Sequence, residues 1–144
     1  MDREFLTDLF VDFGPVTLRR MFSGYGISAD GTNFALALRA GLYFRADEVT
    51  IPQFEAEGCG PFQYQTSSKT VTVNSYWQLP ARLFDDAEGL AVWARSALGA
   101  AQRAALLSML AGAALIGGLG ALIKASGGLA WLAQAISRIA RGND

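Results

Sequence analysis

Residues 16–44 read VTLRRMFSGYGISADGTNFALALRAGLYF, and this stretch decides the fold. Gly24, Gly26 and the pairs Asp30-Gly31 and Ala40-Gly41 divide it into short runs rich in Phe, Tyr, Leu and Ile. Glycine-containing pairs between apolar runs are typical of hairpin turns, so the stretch predicts an antiparallel meander of three strands. Alternation within the middle run predicts a strand with one buried face, formed by Phe34, Leu36 and Leu38.

One helical pattern precedes the meander and another follows it. Before it, apolar side chains recur at helical spacing between acidic residues, namely Phe5, Leu6, Leu9, Phe10 and Phe13. Gly14-Pro15 is expected to end this first helix. After the meander, Asp47 or Thr50 is expected to cap a second short helix, which Gly58 ends in a left-handed conformation.

The next part of the chain predicts a hairpin and a third helix. Residues 62–65 and 71–76 have strand character, and Tyr76-Trp77 is expected to anchor the last strand against the third helix. Asp85, followed by Glu88, resembles the capped start of that helix. The resulting order is helix, three strands, helix, two strands, helix (α-β3-α-β2-α), which is an α+β fold with an antiparallel sheet.

Composition excludes several kinds of chemistry. The 144 residues include no histidine, so a Ser-His-Asp triad and imidazole metal ligation are impossible. Cys59 is the only cysteine, which excludes an internal disulfide and a cysteine metal cluster, and it is interpreted as an inert thiol. The N-terminal residues lack the apolar stretch of a secretory signal, so a cytoplasmic location is expected.

Basic and aromatic side chains in the meander form a candidate interaction patch. Its residues are Arg19, Arg20, Tyr25, Arg39 and Arg45. Such a mixture on a sheet can bind nucleic acid, but residues 1–100 hold eight Lys or Arg against twelve Asp or Glu, a balance that disfavours nucleic acid. Charges on the solvated face of half-buried strands explain the same residues without a ligand. Gly24-Tyr25-Gly26 is interpreted as a bulged strand turn, because it lacks the third glycine of a dinucleotide site.

The C-terminal tail, residues 104–144, has a different composition. No charged residue occurs over residues 104–123, so this segment is too apolar to face water as a helix. Residues 129–141 then predict a basic amphipathic helix. Twenty helical residues span about 30 Å, the thickness of the bilayer hydrocarbon, although the glycines weaken a spanning helix. Packing on the domain, self-association, or attachment to the inner face of the cell membrane would bury such a tail.

Residues 19–27, RRMFSGYGI, resemble the RRMFGGYGI signature of the TfoX/Sxy N-terminal domain, the domain of bacterial competence regulators. Other segments match the family in order; they are residues 34–36, 42–48, 54–58, 61–64, 76–80, 85–86 and 93–95. The resemblance covers roughly residues 4–103. It implies a secretion-chaperone-like α+β domain without catalytic residues. In two departures from the family, Ser23 replaces a glycine, and the apolar tail replaces the helical C-terminal domain of the two-domain regulators.

The expected function is therefore that of a non-enzymatic regulatory module that acts through a protein partner or self-association, with no cofactor and no metal. Competence or transcription regulation is what the family resemblance implies for its role. The expected organisation is a TfoX N-terminal-like domain over residues 1–103, followed by the tail over residues 104–144. The alternative is a membrane-tethered adaptor of the same fold, anchored by the apolar C-terminal helix.

Overall fold

The computed structural model describes residues 1–115. The helices are α1 (Arg3–Leu9), α2 (Ile51–Ala56) and α3 (Ala87–Leu115), and a short 3-10 helix spans Ala81–Asp85. The strands are β1 (Thr17–Met21), β2 (Gly24–Ala29), β3 (Thr32–Leu38), β4 (Gly41–Arg45), β5 (Pro61–Gln65) and β6 (Thr70–Gln78). They form one antiparallel sheet in the order β1-β2-β3-β4-β6-β5. The predicted α+β class is confirmed.

The number of strands before α2 is four, where the sequence predicted three. The missed turn lies at Phe22-Ser23 between β1 and β2, and it contains no glycine, the residue on which the prediction relied. Phe22 takes the left-handed conformation there, with φ 48°, which glycine normally supplies. The bulged turn predicted at Gly24-Tyr25-Gly26 is wrong, because these residues form the start of β2. The predicted turn at Asp30-Gly31 is confirmed, with both residues at positive φ.

A β-bulge changes which side chains of β3 are buried. The pairing of β2 with β3 shifts after Ile27, so Phe34 and Ala35 lie opposite one residue and both are fully buried. Beyond the bulge, Leu36 and Leu38 fall on the opposite face and are only half-buried. The single buried face predicted for β3 is therefore wrong after Phe34, because one extra residue inverts the alternation.

The helix ends also differ in detail from the predictions. α1 ends at Leu9 rather than at Gly14-Pro15, and tight turns continue the chain from there to Gly14. Phe5 is exposed on α1 although the spacing placed it in the core. The side chain of Asp86 accepts the capping hydrogen bond at the start of α3, from the Gly89 N–H at 3.0 Å, so the prediction of Asp85 is wrong by one residue.

All three helices pack on one face of the sheet, which we call the covered face. One row of paired residues crosses that face, and it consists of Leu18, Ile27, Ala35, Phe44 and Trp77. Phe10, which follows α1, packs against Phe34 and Phe44 with ring centroids 5.7 and 6.1 Å apart. Phe54 of α2 links Trp77 to Trp93 of α3. Trp77 is buried in the core as predicted, but its ring contact is with Phe54 of α2 rather than with the third helix, and Tyr76 lies outside the core, so the predicted Tyr76-Trp77 anchor against α3 is only partly right.

α3 continues past the domain predicted to end at residue 103, so the third helix runs directly into the apolar segment. Leu106 and Met109 are exposed on this part of the helix. Within residues 1–115, no helix is long and apolar enough to cross a membrane. The rest of the predicted apolar stretch and the predicted basic helix over residues 129–141 lie outside the described residues.

Candidate functional site

The face of the sheet opposite the three helices, which we call the open face, carries a candidate binding groove. A row of paired residues crosses the open face one position along each strand from the apolar row of the covered face. This open-face row consists of Arg19, Gly26, Leu36, Tyr43 and Gln78. The described helices form the core on the opposite face, and α3 borders the open face only at one end, where Ala101 and Ala104 line a hollow with Arg45 and Tyr76. The half-buried apolar side chains of the open face therefore face outwards rather than into a core.

Phe22 is the most conspicuous residue of the open face. It lies at the tip of the turn between β1 and β2, and its side chain is 97% exposed. Its φ of 48° is a left-handed conformation. This conformation is less stable for a residue with a Cβ atom than for glycine. A large apolar residue gains nothing for folding at such a position, and an exposed aromatic in a strained turn is typical of a binding residue.

An apolar hollow opens beside Phe22. Its lining consists of Phe22, Ser23, Leu36, Leu38, Phe62 and Tyr64, which come from the β1–β2 turn and from β3 and β5. Its volume is about 440 Å³. Phe62 packs edge-on against Tyr43, with ring centroids 4.8 Å apart, and this contact fixes one wall of the hollow. The hollow can accept an apolar side chain of a ligand.

A second, more polar hollow of about 560 Å³ adjoins the first and shares Phe22 and Leu36 with it. Arg19 and Tyr76 lie in its lining, and Gly26 forms part of its floor. Any Cβ atom at Gly26 would lie 2.7 Å from the side-chain oxygen of Asn33, so only glycine fits there with Asn33 in place. Together the two hollows form a groove that we call the Phe22 groove.

Two hydrogen bonds hold the walls of the Phe22 groove. Asn33 donates from Nδ2 to the hydroxyl of Tyr76 at 3.0 Å, which joins β3 to β6. The backbone N–H of Arg39 donates to Oγ of Ser23 at 3.5 Å, which joins the β1–β2 and β3–β4 turns. The serine that departs from the family signature thus contacts the neighbouring turn.

The structure does not bring the five predicted interaction residues into one patch. Arg19 lies in the Phe22 groove, whereas Arg20 and Tyr25 lie on the covered face at the edge of the sheet. There the guanidinium groups of Arg3 and Arg20 lie 5.4 and 5.9 Å from the centre of the Tyr25 ring. Tyr25 is thereby occupied by contacts within the chain.

The other two predicted residues lie at the ends of the strands. Arg39 is exposed in the β3–β4 turn beside Ser23, next to the Phe22 groove. Arg45 ends β4 and stacks over Tyr76 at 5.5 Å. Its Nε atom is buried and has no hydrogen-bond partner among residues 1–115. Of the predicted set, Arg19 and Arg39 therefore lie at the groove, and Arg45 lies at the far end of the open face.

The ionisable groups with displaced pKa values lie in stabilising contacts away from the groove. Burial raises the pKa of Asp47, but hydrogen bonds and charge from Arg103, at 2.7 and 3.1 Å, outweigh it and hold the pKa below its ordinary value. The Arg82 hydrogen bond lowers the pKa of Glu57. Partial burial and the nearby charge of Glu57 raise the pKa of Cys59, which disfavours the reactive thiolate. Within residues 1–115, no group of three or more Cys, Asp or Glu side chains is placed to hold a metal ion.

An antiparallel sheet with helices packed on one face defines the chain as an α+β domain, and its other face carries an exposed apolar groove. The family model of the TfoX N-terminal domain matches residues 8–101, and the chain belongs to this family. The resemblance seen in the sequence is therefore confirmed. Comparison with curated proteins gave no match.

The sequence pattern does not reveal the apolar half of the groove. Alternation predicts that Leu36 and Leu38 lie in the core, and it identifies Phe62 and Tyr64 only as strand residues. The bulge in β3 is not visible in the sequence. The nearest signal in the run at residues 19–27 was Gly24, which lies two residues after Phe22 and directly follows the turn.

Proposed function

We propose that this chain is a non-enzymatic regulatory module that binds a protein partner through the Phe22 groove. One observation carries the proposal: a phenylalanine that is 97% exposed, in a left-handed conformation, projects beside an apolar hollow. Selection for folding alone favours glycine or a polar residue at that position. A partner that buries Phe22 explains why an aromatic residue stands there.

Membership of the TfoX N-terminal domain family is consistent with a regulatory module. The finer role, control of competence or transcription, is proposed from the resemblance to the competence regulators. Binding rather than turnover is supported by the composition, which lacks histidine, and by the raised pKa of the only thiol.

A second candidate function is a membrane-tethered adaptor, and the exposed apolar part of α3 is the observation that favours it. Leu106 and Met109 lie uncovered at the start of the apolar tail, among the described residues. Self-association through the same tail is the competing use. Deletion of residues 104–144 distinguishes them, because a tethered chain moves from the membrane fraction to the soluble fraction, whereas a self-associated chain becomes monomeric or aggregates in light scattering.

Genetic complementation tests the leading proposal. The readout is the set of transcripts whose levels change when the gene is deleted. We expect the full-length chain to restore these levels to those of the parent strain and the Phe22→Asp variant to leave them as in the deletion strain. Val92→Asp is the matched control, because Val92 is also exposed but lies on α3, which packs on the covered face, away from the Phe22 groove. Full restoration by Phe22→Asp, at equal protein abundance, would contradict a role of the open face in regulation.

A further inference from the structure

We infer that the ligand of the Phe22 groove is a protein segment with an apolar side chain next to a carboxylate. The inference rests on the proposed function and adds the chemistry of the partner. It follows from the composition of the two hollows and from the distribution of charge over the sheet.

The apolar hollow selects the first part of the ligand. Leu36, Leu38 and the rings of Phe62 and Tyr64 supply most of its wall, and the hydroxyl of Ser23 already accepts a hydrogen bond from Arg39. The hydroxyls of Ser23 and Tyr64 are the polar side-chain groups of its lining, so a polar group placed against the leucines and the Phe62 ring loses water and gains few hydrogen bonds. An aliphatic or aromatic side chain therefore fits this hollow best.

The polar hollow selects the second part. The guanidinium of Arg19 is the charged group of its lining. Among the described residues, the ion pairs are Arg82 with Glu57 and Arg103 with Asp47, so Arg19 has no carboxylate partner there. A ligand carboxylate in this hollow would gain the strong, charge-assisted hydrogen bonds that arginine forms with carboxylates.

Charge is strongly separated between the strands and the rest of the described chain. The six strands contain three arginines and no acidic residue. The turns between the strands add two basic residues, Arg39 and Lys69, and one acidic residue, Asp30. The acidic residues that make the first hundred positions negative lie mainly in the helices and the segments around them. The sheet therefore attracts an acidic ligand and repels a basic one.

This charge argues against the chain's own tail as the occupant of the groove. Residues 116–144 contain Lys124, Arg138 and Arg141 but only Asp144 of opposite sign. Ring geometry argues against nucleic acid, since the Phe62 and Tyr64 rings are inclined by 33° and the Tyr43 and Phe62 rings by 62°. Proteins that bind single-stranded nucleic acid stack the bases flat on exposed aromatic faces. Rings inclined to one another beside leucines instead favour an apolar side chain of a protein ligand.

Fluorescence anisotropy with three labelled probes tests the inference on the full-length chain. The probes are a short synthetic peptide rich in Leu, Phe and Glu, a basic peptide with the sequence of residues 129–141 (LAWLAQAISRIAR), and oligothymidylate. We expect the acidic peptide to bind, and its affinity to fall as salt is raised. Arg19→Glu should weaken it by about tenfold, as should Leu38→Ser, while Arg95→Glu on the exposed face of α3 leaves it unchanged.

Three results would overturn the inference: no binding of the acidic peptide, equal loss of affinity in Arg19→Glu and Arg95→Glu, or binding of the basic peptide or oligothymidylate in its place. Circular dichroism of each variant verifies that it is folded. If the acidic peptide does not bind but Phe22→Asp still does not complement the deletion, only the chemistry assigned to the partner is rejected. Complementation by Phe22→Asp rejects the proposed function itself.

Discussion

Two neighbouring rows of residues cross the same sheet and differ in almost every property. The row on the covered face, Leu18, Ile27, Ala35, Phe44 and Trp77, lies against the helices, and all five side chains are apolar. The row on the open face contains Arg19, Gly26, Leu36, Tyr43 and Gln78. Apolar groups on the covered face stabilise the fold, whereas those around Phe22 are left outside the described core. The comparison separates residues that serve folding from residues to which the proposed function assigns binding.

The largest expected effect comes from truncating one phenylalanine on each face. Phe34 is fully buried on the covered face, so Phe34→Ala should lower the free energy of unfolding by about 3–5 kcal/mol. Phe22→Ala should change it by less than about 0.5 kcal/mol, because the Phe22 side chain is exposed. Urea unfolding measures both values. A large loss for Phe22→Ala would show that Phe22 belongs to the folding core.

Gly24 is expected to be the most sensitive glycine of the open face. A Cβ atom there would lie 1.7 Å from the carbonyl oxygen of Ala37, so Gly24→Ala must push β2 away from β3 and should cost about 2–3 kcal/mol. Gly60→Ala is the control, since a Cβ atom at Gly60 meets no atom within 4 Å. Thermal unfolding of both variants gives the comparison. Equal midpoints would mean that the strands tolerate the side chain.

The ion pair between Arg103 and Asp47 should contribute less than a core phenylalanine. Arg103→Ala removes two hydrogen bonds to a carboxylate and should cost about 2 kcal/mol at neutral pH. The folded-state pKa of Asp47 lies below the unfolded value, so this stability is present at neutral pH and is lost as the pH falls through the folded pKa.

Denaturation as a function of pH measures the contribution of this pair. Arg103→Ala should reduce the loss of stability below about pH 4, where an unperturbed aspartate titrates. Arg82→Ala, which breaks the exposed pair with Glu57, should change the profile less. Parallel profiles for the wild type and Arg103→Ala would exclude Asp47 as the titrating group.

The smallest expected effect has the opposite sign. Phe22→Gly relieves the left-handed conformation and should raise the free energy of unfolding by up to about 1 kcal/mol, while it abolishes regulation. Differential scanning calorimetry and complementation, measured on the same variant, separate the two effects. A less stable Phe22→Gly would show that the phenylalanine ring contributes to the fold.

Much of the covered face could be predicted from sequence, because helical spacing and turn glycines report directly on local structure. The turn at Asp30-Gly31 and the burial of Trp77 are examples. The open face could not be predicted in the same way. The turn at Phe22-Ser23 contains no glycine, so the boundary between β1 and β2 was not predicted. The bulge at Phe34 moves Leu36 and Leu38 from the predicted buried face to the open face. Both depend on pairing between strands, which alternation in a single strand does not reveal.

Photo-crosslinking at position 22 in the native cell tests most directly whether the open face binds a protein. Phe22 is replaced by p-benzoylphenylalanine in the full-length chain, Val92 is replaced in a matched control, and light-dependent adducts are measured by immunoblotting. We expect a discrete protein adduct from position 22 that the control at position 92 does not form. No adduct at position 22, or the same adducts at both positions, would contradict a binding role for the open face.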